Sequence, residues 1–410
     1  MKEKIFTILR KFRPAHLLAA LFLVFMAYVG AAALPGFLIN TGKALQNPTD
    51  PLGYIRKIND QYSGMLETEG SPPLLQHKGS YIDLNGFMAN LLGQPMMNDR
   101  VTLKNGHLAS LVSKTPDPDD IQNAADNIIR FADAHRKNGG ELLFVMVSSQ
   151  ISKYEDLLPT GYTDTTNATA DAFLSLLEAA QISFLDLREE MHKEGMSVTD
   201  AYFATDHHWK PQTGLWACGK ILEKLQKMGA MEPLEPFYTD PGSYTFETYE
   251  DTFLGSSGKR TGRFYAGTDD SIVLKPNFET EISLSIPFRD LELTGRFEDV
   301  AYNRDAYHNY ENPDFYNENV YGLYGWGDMP ISRWRNEKAP VDQKFLLIGE
   351  SFGNIPFSLM SLCISSCDEV DLRHFEEDFP AYYDSYQPDT VIILVNVDNT
   401  LSEFTDSYLD

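Results

Sequence analysis

The sequence has few cysteines and few basic residues for its length of 410 residues. Its three cysteines, Cys218, Cys363 and Cys367, show no zinc-like CxxC spacing. We expect Cys363 and Cys367 to share a helix face as buried apolar thiols rather than metal ligands. Lysine and arginine number 34 against 59 aspartate and glutamate residues, which gives a formal net charge of -25. Such a chain repels phosphate backbones and has no basic footprint, so nucleic-acid binding is disfavoured.

The N-terminus carries the one strong targeting signal in the sequence. Residues 1–13 are rich in lysine and arginine, and an uncharged, largely apolar run of roughly twenty residues follows, which is the length needed to cross the hydrocarbon layer. We predict a basic cytoplasmic tail over 1–13 and a single transmembrane anchor over 14–35, with the remaining chain outside the cytoplasm. A cleaved signal peptide is the alternative, because "AAALPG" offers small residues at a possible cleavage site.

The composition then changes along the chain and predicts four further segments. They are a stalk or approach segment at 36–100, the first part of an α/β domain at 101–230, an insertion at 231–340 and the second part of the domain at 341–410. The stalk contains turn formers, as in "GSPPLLQHKGS". The insertion has many aromatic residues, turn signals and alternating runs such as "EISLSI", which predict short strands and loops.

Helices and buried strands alternate in both parts of the predicted domain. Before the insertion come a helix from about 118, the strand "ELLFVMVS", a helix over 168–180, the strand "ISFLDL" and a helix over 211–227. After it come "KFLLIG", a helix over 354–366, "EVDLR" and "DTVIILV". This alternation predicts a three-layer α/β fold, in which a parallel sheet of two plus three strands has helices on both faces.

The stretch "KFLLIGESFGN" places Ser351 at the turn between a buried strand and the next helix. In open α/β sheets ligands bind outside the carboxyl ends of the strands, where backbone N–H groups can stabilise an oxyanion. A plain helix N-cap is the alternative interpretation. "GESFG" also matches the nucleophile elbow of α/β-hydrolases, but these need a downstream acid and histidine. Only His374 follows Ser351, in or next to a predicted strand, so that fold is rejected.

His207 and His208 are the only adjacent pair among the nine histidines. In an extended segment residues i and i+2 project to one side, so Asp206 and His208 can meet while His207 points away. A carboxylate there can orient an imidazole that takes the proton of a serine on the same rim of the sheet. A metal site and a simple helix cap are the alternatives. Adjacent histidines diverge and no HExxH-like spacing supplies further ligands, so we expect neither a metal nor a cofactor.

These residues resemble a known group of proteins. "TDHHWKPQTGLWACGKIL" is similar to the acid and histidine block of SGNH-type hydrolases. It is closer to the extracytoplasmic DHHW protein family and to the alginate O-acetyltransferases with SGNH-like domains. "LLFVMVSSQISKYEDLLP", "NDRVTLKNGHL" and "LLIGESFGN" extend the likeness, which spans roughly residues 85–230 and 341–400.

The resemblance implies a circularly permuted SGNH hydrolase fold, because the acid and the histidine precede the serine in this chain. It implies Ser351 as nucleophile, His208 as general base and then acid, and Asp206 as the orienting carboxylate. By the same mapping, the candidates for oxyanion or supporting groups are Asn396, Asn399 and Gly353. The acid-to-histidine spacing of i, i+2 and an insertion without family markers depart from the usual pattern.

The resemblance further implies a membrane-anchored O-acetyltransferase that acts outside the cytoplasm on a cell-surface or secreted polysaccharide. A membrane-bound O-acyltransferase partner would supply the acyl group. An acetylesterase with the same site, or a non-catalytic polysaccharide-binding or assembly protein, are the alternatives. The insertion's aromatic residues could stack on sugars, although such residues also pack over core edges. The possible substrate contacts are Trp209, Tyr202, Lys153, Tyr154, Tyr324 and Trp326.

Overall fold

The structure of the protein is a computed structural model, which describes residues 78–306 and 309–401. The chain divides into two compact units, Met1–Ile82 and Asp83–Asp410. In the first unit only residues 78–82 are described, and they begin a helix. The predicted cytoplasmic tail, the predicted anchor and the first part of the predicted stalk therefore lie outside the described residues. Among the helices that are described, none has the length and apolar character to span a membrane.

The described residues form short strands and helices in alternation. In chain order the strands are β1 (Met96–Met97), β2 (Arg100–Thr102), β3 (Leu108–Ala109), β4 (Glu141–Val147), β5 (Phe184–Asp186), β6 (Tyr244–Phe253), β7 (Asp269–Pro276), β8 (Ile282–Ile286), β9 (Leu291–Gly295), β10 (Ile331–Arg335), β11 (Val341–Gly349), β12 (Ile364–Val370) and β13 (Thr390–Asn396).

The helices of the same residues are mostly short outside the two parts of the predicted α/β domain. In chain order the α-helices are α1 (Lys78–Leu91), α2 (Pro118–Lys137), α3 (Thr166–Ala179), α4 (Leu187–Lys193), α5 (Val198–Ala201), α6 (Pro211–Met228), α7 (Ser256–Thr261), α8 (Arg263–Ala266), α9 (Phe297–Val300), α10 (Asn354–Met360) and α11 (Phe379–Tyr386). Single 3-10 turns lie at Pro236–Tyr238, Pro241–Ser243, Pro287–Arg289, Arg304–Ala306, Tyr321–Leu323, Ser351–Gly353 and Val397–Asn399.

The boundaries of the two longest helices follow from their end residues. α2 begins after Asp117, whose side chain accepts a hydrogen bond from the Asp119 N–H, and basic residues fill its last turn. α6 begins with Pro211, which suits a first turn because that position needs no N–H donor. It ends at Gly229, which takes the left-handed conformation with φ 74°. Both helices lie where the sequence predicts them.

An eight-stranded sheet forms the centre of the fold, with the strand order β5-β4-β13-β11-β12-β10-β8-β9. The first five strands in this order are mutually parallel. β4 and β5 come from before the insertion, and β11, β12 and β13 come from after it. The split of two plus three strands that the sequence predicts is therefore present.

Side chains alternate between the two faces of this sheet and form one apolar core on each face. Leu143, Val145 and Val147 of β4 belong to the first core, to which α6 and α10 also contribute. Leu142, Phe144 and Met146 of the same strand belong to the second core, which α2 and α3 cover. The period of two along the strand explains this division, and helices on both faces give the three layers expected.

The expectation of a purely parallel sheet is wrong, because the insertion adds strands to it. β10 pairs antiparallel with the edge of β12, β8 pairs with β10, and β9 pairs with β8. A short connection, the turn Pro287–Arg289, joins β8 and β9 and suits their antiparallel pairing, whereas the long segment 296–330 separates β9 from β10. The sheet is therefore mixed. The remaining long strands of the insertion, β6 and β7, form a separate two-stranded ribbon.

The segment after Ser351 also differs from the sequence prediction. The helix predicted over 354–366 ends at Met360, and strand β12 begins at Ile364, before "EVDLR". β12 pairs with β10 on one side and with β11 on the other. This pairing with strands distant in sequence overrides the helical pattern that the sequence shows up to residue 366. The thiols of Cys218, Cys363 and Cys367 are free and buried, as expected for the last two, but Cys363 and Cys367 do not share a helix face because the helix ends at Met360 and Cys367 lies in β12.

Candidate active site

Ser351 lies at the carboxyl end of a central parallel strand. β11 ends at Gly349, Glu350 is extended, and Ser351 begins the 3-10 turn that leads into α10. The turn is tight, because a Cβ atom on Gly353 would lie 2.6 Å from ring atoms of Phe357. Within the described residues, no hydrogen bond uses the N–H of Ser351. This N–H is therefore a candidate oxyanion donor at the position that the sequence predicts.

Asp206 and His208 lie in a closed loop between α5 and α6. The loop is closed by an antiparallel bridge between Tyr202 and Trp209. The side-chain amide of Gln150, which follows β4, donates to the carbonyl oxygens of Phe203 at 2.7 Å and of Asp206 at 3.0 Å. The loop is thus held at the carboxyl end of a strand two places from β11 in the sheet.

The serine, the histidine and the aspartate form a continuous hydrogen-bonded chain. Nε2 of His208 lies 2.7 Å from Oγ of Ser351, and Nδ1 of His208 lies 2.5 Å from Oδ1 of Asp206. Asp206 and His208 are buried, and Ser351 is half-buried. A proton on Nδ1 satisfies the carboxylate, so Nε2 is left to accept the proton of the serine hydroxyl. The three groups therefore have the geometry of an activated serine nucleophile.

The charge of Asp206 is stabilised by its hydrogen bonds. Burial alone would raise the pKa of this carboxyl, but the charge and hydrogen bond of His208, together with the Ser256 N–H, hold the pKa well below its usual range. That N–H donates to Oδ2 at 2.6 Å, and the His208 N–H donates to Oδ1 at 3.0 Å. Asp206 is thus ionised at neutral pH and can stabilise an imidazolium ion.

The insertion supplies site residues that sequence reasoning missed. The N–H of Ser256 donates a hydrogen bond to the Asp206 carboxylate. Only glycine fits at the preceding position, because a Cβ atom on Gly255 would lie 2.2 Å from Cβ of Asp206. The Tyr321 ring stacks on the His208 imidazole, with ring centroids 3.7 Å apart and planes within 7°. The glycines of "GSSG", which allow close packing, are the one local sequence signal for the contact of Ser256 with Asp206. Nothing in the sequence indicates the contact of Tyr321 with His208.

The prediction that His207 points away from Asp206 and His208 is wrong, because the ring centroids of His207 and His208 are 3.8 Å apart and Nδ1 of His207 lies 3.7 Å from Oδ1 of Asp206. Half of the His207 side chain is exposed, and its Nδ1 lies 2.8 Å from Oγ of Ser256. Ligand atoms of Asp206, His207 and His208 lie within 4.8 Å of one another, which a metal ion could use in principle. Both ring nitrogens of His208 and both oxygens of Asp206 already form hydrogen bonds within the site. The arrangement therefore suits proton transfer better than metal ligation.

Asn396, Asn399 and Gly353, which the sequence predicts as oxyanion or supporting groups, instead donate hydrogen bonds to Glu350. The Asn396 N–H donates to Oε1 of Glu350 at 2.6 Å, and the Asn399 amide donates to Oε2. The side-chain amide of Asn396 donates to the Ser148 carbonyl at 2.8 Å, and the Gly353 N–H donates to the Glu350 carbonyl at 2.6 Å. Burial raises the pKa of Glu350. These contacts fix the backbone on either side of Ser351, and they do not support a direct role in oxyanion binding.

Three of the predicted substrate contacts are wrong, because their side chains are buried. Tyr202, Trp209 and Tyr324 are each at most 2% exposed. The Tyr202 hydroxyl donates to the Ser148 carbonyl at 2.6 Å, and the Tyr324 hydroxyl donates to the Ile272 carbonyl at 2.8 Å. In the insertion, Tyr324 is joined by Tyr302 and Tyr321, which are at most 4% exposed, so these aromatic residues pack in the core instead of offering an open platform for sugars.

The other three predicted contacts are at least partly exposed. Lys153 forms ion pairs with Asp171 and Glu189, and Tyr154 donates to Glu189 at 2.6 Å. Lys153 and Tyr154 line a cavity of about 270 Å³. Trp326 donates through Nε1 to the Val300 carbonyl at 2.9 Å. Their roles in substrate binding stay predictions.

Known proteins share this architecture. Residues 109–242 match the family described as an SGNH hydrolase-like domain of the acetyltransferase AlgX. This segment contains Asp206 and His208, and Ser351 lies beyond it. A comparison with curated proteins finds no significant sequence match.

Two solved structures cover most of the chain. The structure of Bacillus cereus PatB1 with a sulfonyl adduct has a TM-score of 0.62 and 17% sequence identity, and the match covers 77% of this chain and 98% of that one. A DHHW family protein from Eubacterium siraeum has a TM-score of 0.55 and 17% identity, with coverage of 76% and 95%. At this identity the likeness shows the fold alone. Residues 109–242 are therefore similar to the SGNH hydrolase-like domain family, the chain shares its fold with PatB1 and a DHHW family protein, and the resemblance seen in its sequence is confirmed.

Proposed function

We propose that this protein is an O-acetyltransferase that places acetyl groups on hydroxyls of a cell-surface or secreted polysaccharide. Ser351 is the nucleophile, His208 the general base and then acid, and Asp206 the orienting carboxylate. The observation that carries the proposal is the pair of hydrogen bonds from Ser351 to His208 at 2.7 Å and from His208 to Asp206 at 2.5 Å. The description of the matched family as an acetyltransferase supports the choice of acyl group.

In the first step, Oγ of Ser351 attacks the carbonyl carbon of an acetyl donor while Nε2 of His208 takes the hydroxyl proton. The charge that develops on the carbonyl oxygen is stabilised by the Ser351 N–H, whose hydrogen-bonding capacity is not used within the described residues. Collapse of the tetrahedral intermediate breaks the bond to the leaving group, which receives the proton from His208. The product is an acetyl ester on Ser351.

In the second step, a sugar hydroxyl gives its proton to Nε2 of His208 and attacks the acetyl carbonyl. The bond to Oγ of Ser351 breaks, and His208 returns the proton to this oxygen. Water in place of the sugar gives acetate, so a transferase and an esterase differ only in which acceptor reaches the acetyl-enzyme. Ser351 is half-buried, which leaves an approach for either acceptor.

We further propose that the predicted anchor over 14–35 holds the catalytic domain on the outer side of the cell membrane. Acetyl-CoA is a cytoplasmic donor, so an enzyme on that side needs an acyl group that has been passed across the membrane. A membrane-bound O-acyltransferase is the partner that we propose for this transfer.

The purified full-length chain, incubated with 4-nitrophenyl acetate and a neutral or acidic oligosaccharide, tests the reaction. We expect release of nitrophenolate, an acetyl group on Ser351 in the mass spectrum of trapped enzyme, and acetylated oligosaccharide. Replacement of Ser351 by alanine should lower the turnover about a thousandfold or more, because the nucleophile is lost. The matched control is Ser175→Ala, which removes an exposed hydroxyl of α3 and should leave turnover unchanged.

The products separate the alternatives. Acetate without acetylated oligosaccharide, under all acceptors, would show an esterase. Equal turnover of Ser351→Ala and the unmodified chain would remove the serine mechanism and leave a binding or assembly role.

A further inference from the structure

Helix α1 exposes its large apolar side chains. Leu84, Phe87, Met88, Leu91 and Leu92 are between 39% and 69% exposed. Their i, i+3, i+4, i+7 and i+8 spacing places them in one stripe along the helix, and Leu92 lies one residue beyond its end. A surface helix normally turns such a stripe toward the core. We refer to these five residues as the α1 stripe.

The opposite face of α1 holds the helix in this orientation. Its buried residues are Asp83, Gly86 and Ala89. A Cβ atom on Gly86 would lie 2.2 Å from the carbonyl oxygen of Thr261, so larger residues do not fit on this face. The Asp83 carboxylate forms an ion pair with Arg263 of α8 at 2.6 Å. The α1 stripe therefore stays on the surface, because rotation of the helix cannot bury it.

Phe264 of α8 extends this apolar surface. Its side chain is 59% exposed, and its ring centroid lies 6.3 Å from that of Phe87 in an edge-to-face arrangement. The Asn90 amide donates to the Phe264 carbonyl at 2.9 Å, so the two helices present one continuous surface. Large apolar side chains are normally scattered singly over a protein surface, and a contiguous group of them indicates contact with another molecule or with a membrane.

The charge of the chain favours lipid as the molecule that covers the stripe. Residues 84–98 contain no aspartate, glutamate, lysine or arginine, although these residues make up 23% of the chain. With a net charge of -25, the chain as a whole is repelled by an anionic bilayer surface. The uncharged α1 stripe can approach such a surface without this cost, and burial of its apolar side chains in lipid is favourable.

The order of segments along the chain points to the same occupant. The predicted anchor ends at residue 35, and α1 begins at Lys78, the first residue that the structure describes. An anchor in the bilayer keeps the domain near lipid, so a second, weak contact becomes intramolecular and needs little affinity of its own. With 14 residues, α1 is too short to span the hydrocarbon layer but can lie in the interface.

We propose that the α1 stripe and Phe264 dock on the lipid surface of the membrane that holds the predicted anchor. This inference rests on the proposed function, in which the domain is anchored to a membrane. The apolar side chains would enter the boundary between the headgroups and the acyl chains to a depth of about 5–10 Å.

Docking at this surface would also place the candidate active site near the bilayer. α7 ends at Thr261, beside Gly86 of α1, and begins at Ser256, whose N–H donates to Asp206. The helix has six residues and is therefore about 9 Å long. The acetyl-accepting serine would thus lie close to the membrane, where an acyl group that has been passed across it emerges.

Lipid contact can be measured on the full-length chain reconstituted in phosphatidylcholine vesicles. The native cysteines are free and buried, so a fluorophore can be attached to Met88→Cys alone. Ser175→Cys is the matched control, because Ser175 is also exposed but lies on α3. We expect brominated phosphatidylcholine to quench the Met88→Cys label at least about twofold and the control label by less than about a tenth, because only the first lies among acyl chains.

Charged variants in the Met88→Cys background test whether the stripe causes the contact. Leu91→Asp and Leu92→Asp change side chains that are 69% and 67% exposed, so both proteins should fold. Each should lower the quenching to the level of the control label, because a carboxylate enters the bilayer at high cost. Phe288→Asp is the matched control, since Phe288 is 74% exposed but lies at the Pro287–Arg289 turn, and it should leave the quenching unchanged.

The outcomes distinguish lipid from the other possible occupants. A label that stays in water in vesicles containing only this chain would overturn the proposal and leave a partner protein as the occupant. A label that is shielded from water but not quenched by brominated lipid would show that a second copy or another segment of this chain covers the stripe, and would also overturn it. Equal quenching in Leu91→Asp, Leu92→Asp and Phe288→Asp would remove the role of the stripe.

Turnover in the same vesicles separates this inference from the proposed function. Leu91→Asp should keep the turnover of 4-nitrophenyl acetate within about twofold, because surface changes away from the site have small effects. Loss of both quenching and turnover in Leu91→Asp and Leu92→Asp would show that the stripe supports the fold, which overturns the docking. Strong quenching together with equal turnover of Ser351→Ala and the unmodified chain would instead overturn the serine mechanism and leave the docking in place.

Discussion

Replacement of Gly255 by alanine tests whether the position of Asp206 controls the reaction. Gly255 has φ -73° and ψ 179°, which alanine adopts without strain, so the change acts through space alone. A Cβ atom there would lie 2.2 Å from Cβ, 2.5 Å from Cα and 2.6 Å from N of Asp206. Carbon atoms in ordinary contact are about 3.5–4.0 Å apart, so the Asp206 segment must retreat by at least about 1 Å.

A shift of this size breaks the contact on which His208 depends. The bond from Asp206 to His208 is 2.5 Å long, and an added 1 Å takes it out of hydrogen-bond range. A displacement of about 1 Å at a catalytic group costs about a hundredfold in rate. We therefore expect kcat of Gly255→Ala for 4-nitrophenyl acetate to fall about a hundredfold, with a loss of about 1–3 kcal/mol in the free energy of unfolding from overpacking.

The assay combines initial rates with urea unfolding of the same preparations. Gly219→Ala is the matched control, since its Cβ atom would lie 3.4 Å from Cβ of Thr239 in ordinary contact within α6. Alanine there should leave kcat unchanged and add up to about 1 kcal/mol to the free energy of unfolding. If Gly255→Ala folds and keeps the kcat of the unmodified chain, the rate does not depend on the Asp206 contact, and the role assigned to this carboxylate is wrong.

Three further changes have definite expected outcomes. Tyr321→Leu should lower kcat about two- to tenfold by removing the ring stacked on His208. Tyr321→Phe keeps this ring and removes only the hydroxyl next to Trp209, so it should keep kcat, and equal losses in both variants would contradict the stacking role. Burial raises the pKa of Glu369 to about 8 from 4.5, so the free energy of unfolding should fall as the pH rises from about 4.5 to about 8. In urea unfolding, Glu369→Gln should be more stable than the native chain by about 1–2 kcal/mol at pH 8 and equally stable at pH 4.5. Burial alone would raise the pKa of Asp83, but hydrogen bonds from Arg263 and Tyr316 lower it. Asp83→Asn should therefore lower the free energy of unfolding by about 1–2 kcal/mol at pH 7 and by progressively less as the pH falls below about 4, and a pH-independent loss would exclude the ionic contribution.

The meeting of Ser351 and His208 could be predicted in part from regular structure. Each residue lies next to the carboxyl end of a parallel strand, and in a parallel sheet these ends share one edge. The i, i+2 relation of Asp206 and His208 gives the third group of the chain of hydrogen bonds. Sequence reasoning works for Ser351 because strand direction is set locally, whereas the irregular loop 204–208 is held in place by the Gln150 side chain, a contact that the sequence does not indicate.

The contributions of the insertion could not be predicted in this way. "EISLSI" alternates as a strand should, but alternation does not name the strand with which it pairs, so the mixed sheet was not foreseen. The contacts of Ser256 and Tyr321 join loops that are distant in sequence, and no periodicity sets their positions. The exposure of Tyr202 and Tyr324 was likewise misjudged, because an aromatic residue with a polar end suits a surface and a core equally.

The place of β13 has a consequence for how the protein is assembled. It is the last of the described strands to be synthesised, yet it lies between β4 and β11, near the middle of the sheet. Until it emerges, β4 and β11 present unpaired edges, and such edges recruit other chains. We therefore expect the nascent protein to remain prone to aggregation late into synthesis, and we expect closure of the sheet by this strand to bring Asp206 and His208 next to Ser351.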